Sequence, residues 1–516
     1  MYHIAIIMSS KKQKFYITTA IDYVNAKPHI GHALEKIQAD VLARYYRIKD
    51  DDVWFLTGTD EHGAKIARAA EAAGEDPKDF ADENSEKFRE LKNVLNLSWD
   101  DFIRTSDQKR HWPGAQKLWL KLHEVGDIYK KKYNGLYCVG HEAFVTEKDL
   151  IEGKCRDHQK EPEVVEEENY FFQLSKYSKE IELRIRNNEL RILPETRKNE
   201  ILSLIESGLE DVSFSRPRKD LSWGIPVPND PKHTMYVWCD ALANYITAIG
   251  YGEEKSQIPN PKSQINSKFK IQNSKFPKYW PADLHVVGKD ILRFHAAIWP
   301  GMLLSAGIEL PKAIFVHGFV TVEGQKMSKT IGNVIDPAEL VKKYGTDTVR
   351  YFLLREIPTG EDGDFSYKKL EERYNGDLAN GLGNLVARVA TLGEKVSPVK
   401  FDFEKDIEAA VKEVTGRIFK NYEKQLEDIR LNEVLAAIWE LISFVDKYIN
   451  DKKPWTISDT NELKNVIINA GYIIGTVANL LEPFLPETSK RIKEQICIED
   501  SVLKIKKGGN LFPRLS

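Results

Sequence analysis

Two histidines, His29 and His32, stand three positions apart and enclose Ile30 and Gly31, directly after the loop Asn25-Ala26-Lys27-Pro28. At a helix N-terminus such a pair shares one face with free backbone N–H groups, and the positive end of the helix dipole points the same way. That combination suits a phosphate. Gly31 has no side chain, so a flat base can approach the backbone there. Far downstream, Lys326-Met327-Ser328-Lys329-Thr330 follows Val322-Glu323-Gly324-Gln325. Two lysines in a flexible loop can neutralise a triphosphate and stabilise charge on a departing pyrophosphate. Each motif alone is weak, because His pairs arise on helices by chance and lysine-rich loops are usually solvated surface. Together they point to a bound nucleoside triphosphate.

A third cluster has metal-ligand spacing. Cys138-Val139-Gly140-His141 and Cys155-Arg156-Asp157-His158 repeat a Cys-x2-His pattern. Four nitrogen and sulfur donors in two close pairs suit tetrahedral zinc, and with no position left open the ion would be structural. A metal-free knuckle with two buried thiols is the bland alternative. Four cysteines in 516 residues do not make a disulfide framework.

These groups need elements to position them. Residues 15–65 read as one βαβ unit. Phe15-Tyr16-Ile17-Thr18-Thr19 is a strand. A helix opens near residue 29 with Leu34, Ile37, Val41 and Tyr45 on one face. Val53-Trp54-Phe55-Leu56 is the next strand, ending in Thr57-Gly58-Thr59-Asp60. Strands alternating with helices imply a doubly wound parallel sheet, whose ligands sit at the carboxyl ends of its strands. From about 121 to 225 the pattern breaks, with the Cys/His cluster, an acidic run between Glu161 and Glu168, and Trp223-Gly224-Ile225-Pro226; this reads as an insertion. The α/β pattern resumes at Tyr236-Val237-Trp238 and at Leu284-His285-Val286-Val287-Gly288. From about Tyr367 onward the chain is mostly helical. There, the uncharged stretch from Asn465 to Leu481 carries Ile467, Ala470, Ile474, Val477 and Leu481 at helical spacing, so it reads as a bundle core helix. Residues 256–277 contain no acid and repeat Asn-Ser-Lys-Phe, which predicts an exposed, mobile loop.

The length predicts about three domains. With 75 Lys+Arg against 78 Asp+Glu, a net charge of -3 excludes a histone-like basic protein but not a local nucleic-acid surface. No membrane span is expected. The opening MYHIAIIMSS has no basic region and too short an apolar run for a signal peptide, which points to the cytoplasm; Met8 is an alternative start.

The chain resembles the class I aminoacyl-tRNA synthetases, in particular those specific for methionine. The resemblance covers nearly the whole length and rests on Thr18-Thr19-Ala20-Ile21-Asp22-Tyr23-Val24-Asn25, Tyr236-Val237-Trp238-Cys239-Asp240-Ala241-Leu242-Ala243-Asn244-Tyr245, Gly288-Lys289-Asp290-Ile291-Leu292-Arg293-Phe294-His295 and the Lys-Met-Ser-Lys-Thr loop. It implies a Rossmann-like α/β catalytic domain split into residues 1–120 and 226–330, and a zinc-knuckle insertion at 121–225. A linking segment at 331–366 and a C-terminal α-helical anticodon-binding bundle at 367–516 would follow. It implies methionine–tRNA ligation with methionine, ATP carrying Mg²⁺, and initiator and elongator tRNA(Met) as partners. By the same resemblance His29, His32, Lys326 and Lys329 carry catalysis. Gly31, Gly288, Asp290 and Ser328 join them around ATP. Ile21, Tyr23, Asp60, Trp238, Ala241, Tyr245, His295 and Trp299 take methionine, with the Tyr245 hydroxyl offered to the sulfur. Cys138, His141, Cys155 and His158 hold one zinc, although His141 replaces a common Cys. Asn384, Arg388 and Trp455 read the anticodon. Asp22 departs from the usual Pro or Tyr, and Ile298 from a common aromatic. The end at residue 516 makes a monomer the default expectation.

Three other readings are open from the residues. A nucleotidylyltransferase would not need the insertion or the long helical region. A non-catalytic zinc-containing RNA binder would not need the His and Lys motifs. A cysteinyl enzyme would carry its metal ligands inside the active site.

Overall fold

The computed structural model describes residues 12–140, 143–145, 150–156, 159–253, 274–328 and 331–515. His141, His158, Lys329, Met1, Met8 and most of the 256–277 segment lie outside the described residues. Seven parallel strands form the central sheet. We label the six longer ones β1 (Lys14–Thr19), β2 (Asp52–Asp60), β3 (Asp101–Arg104), β4 (Arg191–Leu193), β5 (Leu284–Gly288) and β6 (Ala313–His317). Their order is β4-β6-β5-β1-β2-β3. The seventh, Asp22–Tyr23, pairs with Thr59 and Asp60 of β2. The chain leaves β1 in one direction and returns through β5 on its other side, so β1 is the switch point where a crevice opens. Tyr16, Ile17, Thr18 and Thr19 are fully buried, as expected for a strand covered by helices on both faces.

Helix α1 (Ile30–Ile48) follows β1 and buries Leu34, Ile37, Val41 and Tyr45, the face read from spacing. The insertion is built on an antiparallel sheet ordered Val212–Ser213, Glu163–Phe172, Ile128–Cys138, Ala143–Val145. The 121–225 stretch is not wholly separate, however. Arg191–Leu193 lies inside it and is the edge strand β4, paired with β6. Three residues carry too little periodicity to be seen as a parallel strand. Tyr236-Val237-Trp238 is not a strand either: Tyr236 caps the short helix Val237–Leu242, and the strand is the more polar Asp230–Met235 before it.

The 331–366 segment is packed structure, with helices Pro337–Tyr344 and Thr346–Glu356 and the strand Gly363–Phe365, which pairs with Val320–Val322. The C-terminal region packs helices α2 (Asn384–Gly393), α3 (Ala409–Glu427), α4 (Leu431–Lys452) and α5 (Thr460–Leu481). Its small antiparallel sheet is made of Val399–Lys400, Val502–Ile505 and Ile496–Glu499. Ile467, Ala470, Ile474, Val477 and Leu481 of α5 are buried, as their spacing predicts. Among the described residues no helix is long and apolar enough to cross a membrane.

Candidate active site

One cavity of about 1300 Å³ opens at the carboxyl ends of β1, β2 and β5. His29 and His32 line it, and the cap of α1 fixes their hydrogens. His29 is the N-cap residue. Its Nδ1 accepts the Gly31 N–H at 3.1 Å, and the His32 Nδ1 accepts the His29 N–H at 3.1 Å. A ring nitrogen that accepts carries no proton, so each neutral imidazole keeps its hydrogen on Nε2. Burial supports the neutral form: it pushes the His29 pKa down to about 4 and that of His32 well below the usual histidine value. The two rings stack with centroids 3.8 Å apart. Gly31 is required locally, because a Cβ there would meet the His29 ring at 2.9 and 3.0 Å.

The lysine loop lies over this cap. The same Cβ position is 3.8 Å from the Met327 methyl group. Ile30 donates its N–H to the Ile335 carbonyl at 3.1 Å, which ties the segment beyond the loop to the start of α1. Asn333 closes the loop, accepting from the Ser328 N–H at 2.8 Å and donating to the Lys326 carbonyl at 3.2 Å. Lys326, Met327 and Ser328 line the cavity, as do Gly288 and Asp290 on the opposite side. Asp290 Oδ1 occupies the space beside Gly288, 2.7 Å from where a Cβ would stand.

The other half of the cavity is aromatic. Trp238 and Ala241 come from the helix Val237–Leu242, and Tyr245 from Asn244–Thr247. His295 lies in a π-helical turn, Phe294–Ile298. Trp238 stacks on Phe294 with centroids 3.8 Å apart and 11° between planes. Ile21, Tyr23 and Asp60 complete the lining. Asp60, at the end of β2, is 2% exposed, and its neighbour Glu61 is gripped by Arg104 through two 2.7 Å bonds.

Two expectations change here. The Tyr245 hydroxyl lies 2.7 Å from His295 Nε2, and His295 Nδ1 lies 2.9 Å from the Ile291 carbonyl. A carbonyl only accepts, so Nδ1 carries the hydrogen. Burial lowers the His295 pKa to about 4, leaving the ring neutral and Nε2 the acceptor. Tyr245 therefore donates to His295, and its hydrogen is not free for a thioether sulfur. Trp299 is fully buried and is not in the cavity lining. It packs against Tyr245 and Trp280, each with centroids 6.0 Å away, and supports the wall from behind. Ile298 is likewise core.

Four lining or supporting residues carried no distinct signal in the sequence. Phe294 stacks on Trp238 in the wall of the cavity, and an aromatic beside a helix start is most often core. Glu35, Lys36 and His317 form a buried ionic chain that begins at Asp22. Lys36 Nζ lies 2.8 Å from Asp22 and 2.8 Å from Glu35, and His317 Nε2 lies 3.0 Å from Glu35. Burial alone would lower the Lys36 pKa, but the two carboxylates outweigh it and raise it. His317 is raised in the same way by Glu35. Only the fold brings these residues together.

Away from the cavity, Cys138 and Cys155 are both buried and share one small cluster with Val145. Among the described residues no group of three or more His, Cys, Asp or Glu is placed to hold a metal. In the bundle, Arg388 donates to Asp446 at 2.8 Å and to Asn450 at 2.7 Å, and its guanidinium lies 5.7 Å from the Trp455 ring. Trp455 is 53% exposed and Asn384 is exposed at the start of α2.

Known proteins are similar to this chain along nearly its whole length. The family model described as tRNA synthetases class I (M) matches residues 15–161 and 145–390. A methionine–tRNA ligase of Caldanaerobacter subterraneus subsp. tengcongensis is 43% identical over 98% of this chain and 79% of its own length. One from Thermotoga maritima is 43% identical over 95% of this chain and 76% of its own. Mycobacterium tuberculosis methionyl-tRNA synthetase in complex with methionyl-adenylate superposes with a TM-score of 0.88 at 38% identity, covering 97% of this chain and all of that one. The free form of that enzyme gives 0.80. With a family model matching most of its length and relatives this similar along nearly all of it, the chain belongs to the class I tRNA synthetases, among the methionine–tRNA ligases.

Proposed function

We propose that the chain activates methionine with ATP and transfers it to the 3′ end of tRNA(Met), in initiation and elongation. A methionine carboxylate oxygen attacks the α-phosphorus in line, and the bond to the β-phosphate breaks, releasing pyrophosphate. The terminal ribose hydroxyl of tRNA then attacks the acyl carbon of the adenylate and AMP leaves. No covalent enzyme intermediate is needed, so the work is positioning and charge stabilisation. ATP enters with Mg²⁺ on its phosphates.

The observation that carries this reading is the α1 cap, which leaves two neutral imidazoles with Nε2–H donors beneath the Lys326 loop. His29 and His32 hydrogen-bond phosphate oxygens. Lys326 and Lys329 take up the charge of the departing pyrophosphate. Gly288 and Asp290 hold the ribose side. Asp60 takes the substrate ammonium, and Trp238, Phe294, Ala241 and His295 form the side-chain wall. Because the Tyr245 hydrogen is engaged, the Ile21 backbone N–H is the donor assigned to the sulfur.

The same proposal gives the two buried thiols a structural zinc, shared with His141 and His158. The ion would tie together the turns of the insertion. Asn384, Arg388 and Trp455 read the anticodon; a fixed guanidinium beside a half-exposed indole suits stacking of a splayed base. The protein acts in the cytoplasm as a monomer. Methionine-dependent exchange of labelled pyrophosphate into ATP tests the activity. Lys326→Ala should slow that exchange about 100-fold with methionine affinity nearly unchanged. Exchange at the original rate would remove the loop from the mechanism, and exchange driven by another amino acid would overturn the substrate.

A further inference from the structure

Lys36 is 2% exposed, on the turn of α1 that follows His32. Lys36 Nζ donates to the Ala20 carbonyl at 3.1 Å and to Glu35 at 2.8 Å, and it forms an ion pair with Asp22 Oδ2 at 2.8 Å. The second Glu35 oxygen takes the His317 Nε2–H at 3.0 Å, and His317 Nδ1 gives its hydrogen to the Gly318 carbonyl at 2.8 Å. Both partners of His317 are acceptors, so the ring holds both hydrogens and is a cation. The result is a line of largely buried groups, Asp22, Lys36, Glu35 and His317, in which Lys36 and His317 hold Glu35 ionised while burial raises the Asp22 pKa to about 7. Three of its members line the cavity, and Lys36 ties Asp22 to Glu35.

The two ends of this line serve different halves of the cavity. Asp22 lies between Ile21 and Tyr23, beside the aromatic half. Glu35 and His317 face the side of Gly288 and Asp290; His317 Nε2 is 3.7 Å from the Cβ position of Gly288. A buried ion pair gains little stability over apolar residues of the same volume. Its contribution lies in position: Lys36 touches the segment after β1, Asp22 and Glu35 at once.

We propose that Lys36 is a positioning residue that couples the two halves: by holding the 20–22 segment and Glu35 to each other, it makes occupation of the nucleotide side pre-order the amino-acid side, and the reverse. This rests on the assignment of methionine and ATP to the two halves. A phosphate or ribose group that draws on Glu35 or His317 changes the charge left for Lys36, and Lys36 transmits that change to the Ala20 carbonyl and Asp22.

The test is a binding cycle on the full chain. Methionine affinity is read from tryptophan fluorescence, alone and with saturating adenosine 5′-(α,β-methylene)triphosphate. The ratio is a coupling factor, and it must be the same when measured from the nucleotide side. The unmodified chain should show about ten-fold coupling, within the usual range. Lys36→Met should bring the factor to about one. Asp22→Asn, which keeps the volume and leaves Lys36 paired with Glu35, should reduce it even if Lys36→Met does not fold. A merely structural lysine would lower melting temperature and weaken both ligands without changing the factor. Coupling that survives in Asp22→Asn or in folded Lys36→Met, or that is absent from the unmodified chain, overturns the proposal. Loss of methionine-dependent pyrophosphate exchange in the unmodified chain would instead overturn the reading of the cavity on which it rests.

Discussion

At the scale of single residues, hydrogen bookkeeping decides what the site can do. His29 and His32 spend their Nδ1 atoms on the helix cap, so only their Nε2–H groups face a ligand. His29→Asn keeps a cap acceptor near the Nδ1 position, because Asn is a strong N-cap, but its shorter amide has no N–H at the Nε2 position. It should slow pyrophosphate exchange about 100-fold while leaving the melting temperature nearly unchanged; an equal loss of both would mean that the ring is only a cap. His295 gives a pH prediction. Its pKa falls from 6.5 in the unfolded chain to about 4 in the folded one. Between those values the unfolded chain binds the extra proton, so this group's stabilisation is complete above 6.5 and lost as pH falls towards 4. Urea midpoints measured across that window should fall less steeply for His295→Gln than for the unmodified chain. The pairing of His29 with His32 at a helix start was legible from their types and spacing, whereas His295 was singled out only by the family resemblance. The tautomers of all three were not legible, because the partners that set them are a helix N-terminus and the Ile291 carbonyl, groups that every residue carries.

Among elements, legibility follows the strength of periodicity. Helices α1 and α5 declare themselves because each buries a repeated apolar face over many turns. β4 is hidden because three residues give no alternation, and only its pairing with β6 makes it a strand. The helix at Val237–Leu242 was masked by aromatic and β-branched residues that suit a pleated surface equally well. In the insertion, Cys138, Val145 and Cys155 form a small buried cluster with Leu136 and Leu150 packed against it, among the described residues. Metal analysis of the purified chain should give about one zinc per molecule. Cys155→Ser should release it, make the insertion cleavable by trypsin, and reduce tRNA charging more than pyrophosphate exchange. A chain that is zinc-free yet equally protease-resistant would leave the bland reading, two buried thiols, in place.

On the scale of the whole molecule, one fully buried cation joins the catalytic sheet to the bundle. Arg350 lies 2.8 Å from Asp40 of α1 and donates to the Phe484 carbonyl at 2.7 Å, the Pro483 carbonyl at 3.0 Å and the Leu95 carbonyl at 3.1 Å. Asp40 also holds Arg44 at 2.7 Å and the Ser98 N–H at 2.7 Å. Arg350→Met strips one charge from this hub and leaves four carbonyls, those of Phe484, Pro483, Leu95 and Asn96, without that donor. It should cost about 3–5 kcal/mol of stability, read as a lower urea midpoint. A change of under about 1 kcal/mol would show that the junction is held by apolar packing alone. The sequence marks neither partner, since Asp40 and Arg350 are far apart in the chain and each reads as an ordinary helical charge.

That junction has a consequence for the shape of the substrate. The 19 residues of α1 make a rod of roughly 28 Å, with the phosphate-facing imidazoles at its tip and Asp40, midway along it, clamped against the bundle. The Arg350 clamp fixes how this helix meets the bundle. On the proposed reading, a tRNA meets the cavity with its 3′ end and the bundle with its anticodon at once, so its own length becomes part of its identity. Inserting one base pair into the anticodon stem, with every recognised base retained, should lower charging far more than it lowers binding.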